Sequence, residues 1–128
     1  MGKLDDAEIS YRQAITLKLD YAEAQYNLGI TLHELGRLKE AEISCRKAIA
    51  LIPNYAEAHS NLGITLKRLG NLDEAEISYD KALEIKPNSG PALLGKGQIS
   101  FEQGNFELSL KNFDMCNNKR SKKQKRKF

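Results

Sequence analysis

A 34-residue segment occurs twice in tandem, at 22–55 and 56–89, and the two copies agree at 21 of 34 positions without a gap. A fixed period of this length means that one supersecondary unit is stacked on itself. Each unit then buries its apolar side against its neighbours rather than in one central core. Carrying the register outward, residues 90–118 read as a degenerate third copy and residues 1–21 as the second half of a preceding unit. Residues 119–128 fall outside the period.

Within each full unit the apolar residues recur at spacings of three and four, which predicts two amphipathic helices per period, over 22–35 and 38–51, then 56–69 and 72–85. Gly36 and Gly70 stand between paired helices, where a residue free to take positive φ lets one helix stop and the next return antiparallel. Pro53 and Pro87 close the units. Gly29 and Gly63 lie inside helices, where glycine costs about 1 kcal/mol relative to alanine. A close helix-helix approach offsets that cost, with Ala41 and Ala75 as the expected small partners.

These positions resemble the tetratricopeptide repeats. The Leu-Gly pair is matched by Leu28-Gly29 and Leu62-Gly63, the small residue by Ala7, Ala41 and Ala75, and the later aromatic by Tyr11, Tyr79 and Phe113, with Cys45 in its place once. The later alanine is matched by Ala14, Ala48 and Ala82. The early tryptophan is replaced by Gln25, His59 and Leu93, and the third unit departs further at Lys96 and Ser109, so that unit is expected to be the least stable. The resemblance implies an all-α fold, a right-handed superhelical α-solenoid of about seven helices.

In the family's superhelix the first helix of each unit lines the concave face. That placement implies a groove bearing Glu23, Tyr26, Asn27, Ile30, His33 and Glu34 from one unit, and Glu57, Asn61, Ile64, Lys67 and Arg68 from the next. Asn27 and Asn61 share a repeat position, and an amide there both donates to and accepts from an extended peptide backbone. The arrangement resembles the asparagine ladder in the repeat array of O-linked N-acetylglucosamine transferases, with Gly95 ending the line in the third unit. The basic clamp by which other members hold a chaperone's C-terminal carboxylate needs charge where Pro91 and Gly95 stand, so that use is not expected here.

Chemistry is sparse. Residues 90–96 match most of a phosphate-binding loop, but Gly97 stands where serine or threonine must hold magnesium, and the stretch fits the repeat register. His33 and His59 occupy different repeat positions with no ligand pattern around them. Glu40/Glu42 and Glu74/Glu76 recur with the period, which marks a solvated helix face rather than a pair of catalytic carboxyls. Cys45 and Cys116 lack metal-ligand spacing and read as reduced core thiols. No catalytic residue, cofactor or metal site is expected.

Seven of the last ten residues are Lys or Arg, leaving 13 basic against 17 acidic residues over 1–118. The mildly acidic body gives no basis for nucleic-acid binding. The tail, expected to be disordered, would support only weak, salt-sensitive contact with nucleic acid or an anionic surface. No apolar run approaches the roughly 18 residues of a membrane span and no secretion signal is present, so a cytoplasmic location is expected. Polar capping helices are absent at both ends, which implies end-to-end self-association or a longer parent protein. The leading expectation is a protein-interaction scaffold binding an extended peptide or helix. The alternatives are a substrate-docking fragment of a repeat-containing transferase and a carrier for the basic tail.

Overall fold

The computed structural model describes the backbone of residues 2–17 and 21–125, and side chains through residue 116 other than Leu17. Among the described residues there are seven helices and no strand: α1 (Gly2–Leu17), α2 (Ala22–Glu34), α3 (Leu38–Leu51), α4 (Ala56–Arg68), α5 (Leu72–Ile85), α6 (Gly90–Glu102) and α7 (Phe106–Lys125). They stack in order as a helical solenoid of antiparallel pairs, α2 with α3, α4 with α5 and α6 with α7, with α1 packed on α2.

The turns inside the pairs share one chemistry. Gly36, Gly70 and Gly104 take φ of 81°, 86° and 80°. The amide of the following residue reaches back to the last turn, Arg37 N to Leu32 O at 2.9 Å, Asn71 N to Leu66 O at 2.9 Å and Asn105 N to Ser100 O at 2.8 Å. Carbonyls that the helix end leaves open are thereby satisfied, and the chain reverses without a long loop. The stretch that resembled a phosphate-binding loop is the start of α6, with Pro91 in its first turn and the Ser89 hydroxyl accepting from Ala92 N at 3.5 Å.

The core is a column rather than a ball. Cys45, Leu62, Leu66, Tyr79 and Ile99, from four successive helices, are fully or almost fully buried in one cluster, and Leu28, Leu32 and Ala41 form a second against half-buried Tyr11 and Ile15. Ala41, Ala48, Ala75 and Ala82 have no exposure, because neighbouring helices close directly over their methyl groups. In the third unit Ser109 takes the alanine position, and its buried hydroxyl donates to Gly97 O at 2.9 Å. That bond offsets the cost of burying a hydroxyl there.

The close approach at the helical glycines differs in detail from the sequence expectation. A Cβ added at Gly29 would meet Cys45 Sγ at 2.8 Å, with Ala41 contributing only its carbonyl oxygen at 3.5 Å. At Gly63 the obstacle is the Tyr79 ring, at 2.6 Å, and not Ala75. The aromatic position of the second helix, rather than the small one, is what the glycine accommodates. At the C-terminal end α7 runs on to Lys125, within the segment read from sequence as a basic tail. Lysine, arginine and glutamine lose little side-chain freedom in a helix, and no proline or glycine interrupts this stretch. Residues 126–128 lie outside the described residues.

Polar contacts on the second helices follow the period. Arg12 binds Glu8 on its own helix at 2.8 Å and Glu40 of the next unit at 3.3 Å, while Arg46 repeats the pattern with Glu42 at 3.0 Å and Glu74 at 3.2 Å. Asp80 occupies the arginine's place in the following unit and pairs instead with Lys96, at 2.5 Å. Of the recurring carboxylates, Glu40, Glu42 and Glu74 are thus ion-paired.

Candidate peptide-binding groove

Two openings lie along the inner side of the first helices. The wider, about 650 Å³, is bounded by Ile64, Lys67, Arg68, Pro91, Leu94 and Gln98, with Tyr79 and Cys116 beneath. The narrower, about 160 Å³, is bounded by Tyr26, Glu57, Ser60, Asn61, Lys86 and Ser89. Ile64 and Pro91 line both, so the two adjoin along one face running from α2 past α4 to α6 and are taken together as one trough.

Of the residues expected from sequence, Tyr26, Glu57, Asn61, Ile64, Lys67 and Arg68 border this trough, and Glu23, Asn27 and Ile30 border neither opening. Asn27, Ile30 and His33 are half-buried and Glu23 is exposed. His33 is tied to the array by Arg68, whose Nη1 donates to His33 Nε2 and to His33 O, each at 3.3 Å. Because guanidinium has no acceptor, Nε2 is the bare nitrogen of a neutral ring in this contact. Burial first, and the Arg68 charge second, hold the His33 pKa below its ordinary value.

Tyr26 packs against Tyr55, ring centroids 5.1 Å apart and tilted by 42°. Burial, assisted by the Glu57 carboxylate, pushes the Tyr26 phenol up, so it stays a neutral donor. Lys67 binds Gln98 of the next unit. Asn61 Nδ2 lies 3.9 Å from Cys45 Sγ, a weak contact that sets the amide beside the thiol of the preceding unit.

Residues overlooked in the sequence supply much of the trough: Pro91, Leu94 and Gln98 on its far wall, and Ser60, hydrogen-bonded to Ser89 at 3.4 Å, in its narrow part. Gly95, read as the end of the asparagine line, makes room for Tyr79. A Cβ there would lie 2.6 Å from Tyr79 Cε2 and Oη, and nearer still to Cζ. The signal for this was present, since Gly95 faces tyrosine where Asn61 faces the smaller cysteine. Burial pushes the Tyr79 phenol and the Cys45 thiol each up to about 12, which makes both inert packing groups at neutral pH. Among the described residues, no cluster of histidine, cysteine or carboxylate side chains could hold a metal ion, and no helix is long and apolar enough to cross a membrane.

A family model described as tetratricopeptide repeat matches residues 20–88, and a second, described as TPR repeat, matches residues 1–36. Comparison with curated proteins finds no match. Among solved structures, a crystal structure of MamA is similar at 30% identity and a TM-score of 0.87, over 95% of this chain and 71% of that one. A second MamA crystal structure, also 30% identical, has a TM-score of 0.82 over 95% and 67%. The first TPR of Spaghetti (RPAP3), bound to the HSP90 peptide SRMEEVD, is 28% identical with a TM-score of 0.77, over 80% of this chain and 82% of that one.

Proposed function

Since the chain belongs to the tetratricopeptide repeat family, we propose that it is a non-enzymatic scaffold whose concave trough holds an extended peptide segment of another protein. The observation that carries this reading is that the two openings adjoin at Ile64 and Pro91. An apolar floor interrupted by Ser60, Asn61 and Gln98 suits an extended chain, whose backbone needs hydrogen-bond partners while its side chains need burial. The wide part, walled by Ile64, Pro91 and Leu94, takes one apolar side chain, and Lys67 and Arg68 at its edge favour a carboxylate beside it. Asn61, in the narrow part, orients the peptide backbone, and Asn27, at the same position one unit back and outside both openings, does so for a peptide that runs on beyond Tyr26. The peptide held by the similar RPAP3 repeat supports this mode, although Pro91 and Gly95 leave the third unit's wall uncharged, which favours an apolar anchor over a carboxylate clamp.

An array of short peptides of varied composition tests the reading. The Ile64→Arg variant, which places a cation at the junction of both openings, should lose the peptides that the wild type holds. Asn27→Ala/Asn61→Ala should weaken them by about tenfold, the loss expected when hydrogen bonds worth about 1.4 kcal/mol in total disappear. Unchanged binding by Ile64→Arg would exclude the trough, and unchanged binding by the double alanine variant would exclude the amides as orienting groups.

A further inference from the structure

The outer face carries a second repeated surface. Ile9, Ile43 and Ile77 fall one period apart on α1, α3 and α5 and are 55%, 54% and 68% exposed. A single exposed isoleucine needs no explanation, but the same residue at the same position of three successive units makes an apolar stripe.

Beside the stripe lie two grooves, one period apart, of about 410 Å³ between α1 and α3 and about 500 Å³ between α3 and α5. Their chemistry repeats. Ile15 and Ile43 wall the first, and Ile49 and Ile77 the second. The first has Gln25 in its lining, 5% exposed, with no hydrogen-bond partner for its amide among the described residues. In the second His59 takes that place, 8% exposed, its Nε2 2.9 Å from Pro53 O. With Nε2–H donated to that carbonyl, Nδ1 is the ring's acceptor.

The charge of the grooves indicates what covers them. Arg12 and Arg46 are committed to carboxylates of their own and the next unit. Lys47 in the first groove has no ion-pair partner among the described residues, and Lys81 in the second pairs only with exposed Glu84, one turn along its own helix, at 3.3 Å. Each groove thus presents isoleucine walls, a polar group in its lining and an ammonium, unpaired among the described residues at Lys47 and held only by exposed Glu84 at Lys81, while the Glu40 carboxylate in the first groove is taken up by Arg12 and Arg37. In the third unit Lys111 replaces the isoleucine and Met115 the lysine, so the pattern is two grooves long.

We propose that the paired outer grooves bind one acidic amphipathic helix of a partner protein, with one apolar side chain in each groove and carboxylates over Lys47 and Lys81. α1, α3 and α5 follow one another along this face without packing directly on each other, so the two grooves are reached only by an occupant laid across α3. A helix laid across the stripe presents apolar residues at i and i+7 on one face, about 10 Å apart along its axis, one toward each groove. This surface is independent of the concave trough, so both can be occupied together.

Fluorescence anisotropy with the full chain and two labelled helical peptides tests the assignment. One peptide carries leucines seven residues apart flanked by glutamates, and the other has the glutamates exchanged for lysines. The acidic peptide should bind and the basic one bind at least about tenfold more weakly. Ile43→Ser/Ile77→Ser, at exposed positions that leave the core intact, should weaken the acidic peptide by about tenfold or more, whereas Ile64→Arg in the trough should leave it unchanged. Equal binding of the two peptides, no binding of the acidic one, or loss of binding in Ile64→Arg overturns the proposal. So does sedimentation showing that the wild type self-associates and the double serine variant does not, because the occupant would then be a second copy of this chain.

Discussion

Gly95→Ala isolates the rule by which one unit fits the next. In an ordinary helix interior this change stabilises by about 1 kcal/mol, because alanine gives up less backbone freedom. Here the new methyl would lie 2.6 Å from Tyr79 Cε2 and Oη. The ring, only 1% exposed, cannot step aside freely, because Gly63 meets its other edge, where a Cβ would be 2.6 Å from Cε1. Overpacking of this kind costs about 1–3 kcal/mol, so the clash should outweigh the propensity gain and leave a net loss of about 1 kcal/mol. In a Tyr79→Cys background, which reproduces the smaller residue found at Cys45, the obstacle is gone and Gly95→Ala should stabilise instead. Urea unfolding followed by helical circular dichroism, run as a double-mutant cycle, should therefore return a coupling of about 1–3 kcal/mol. If Gly95→Ala raises stability equally in both backgrounds, the fit between ring and glycine is not what fixes the residue at position 95.

Two further outcomes follow from the same geometry. Because the His33 pKa is lowered in the folded chain, the unfolded chain takes up its proton first. Stability should fall as pH drops below about 6.5 toward the lowered folded value and be flat from this source above it. Urea midpoints across that range should lose this slope in His33→Gln, and an identical slope in the variant refutes the assignment. Cys45 is fully buried with its thiol pushed up to about 12, while Cys116 is half-buried beside the trough. A disulfide reagent at pH 8 should modify Cys116 well before Cys45, and simultaneous modification would contradict the packing.

The period made the helices and their turns legible, because Gly36 and Gly70 mark places where local backbone chemistry alone decides the structure. Gly104 does the same in the degenerate unit, where weaker similarity concealed it. Contacts that reach from one unit to the next were harder to read, since they depend on the rotation between units. The expectation that Ala41 and Ala75 receive Gly29 and Gly63 followed the helix pair as an isolated object. In the solenoid the nearest groups are the Cys45 thiol and the Tyr79 ring. The trough was half legible for the same reason. Asn61 and Ile64 were found by their repeat position, whereas Pro91, Leu94 and Gln98 belong to a unit whose divergence from the others hid their shared wall.

Asn61 rests beside Cys45, and Gly95 beneath Tyr79. What the inner surface can display at one step is thus constrained by the residue on the second helix of the step before. A chimera spliced where the 34-residue periods meet would part these residues from their fitted neighbours. Cutting instead at the turns of Gly36 and Gly70 keeps each second helix with the first helix that follows it, but parts Cys45 from Gly29 and Tyr79 from Gly63. With the Tyr79 ring held between Gly63 before it and Gly95 after it, no cassette of a single period carries all of its fitted neighbours with it.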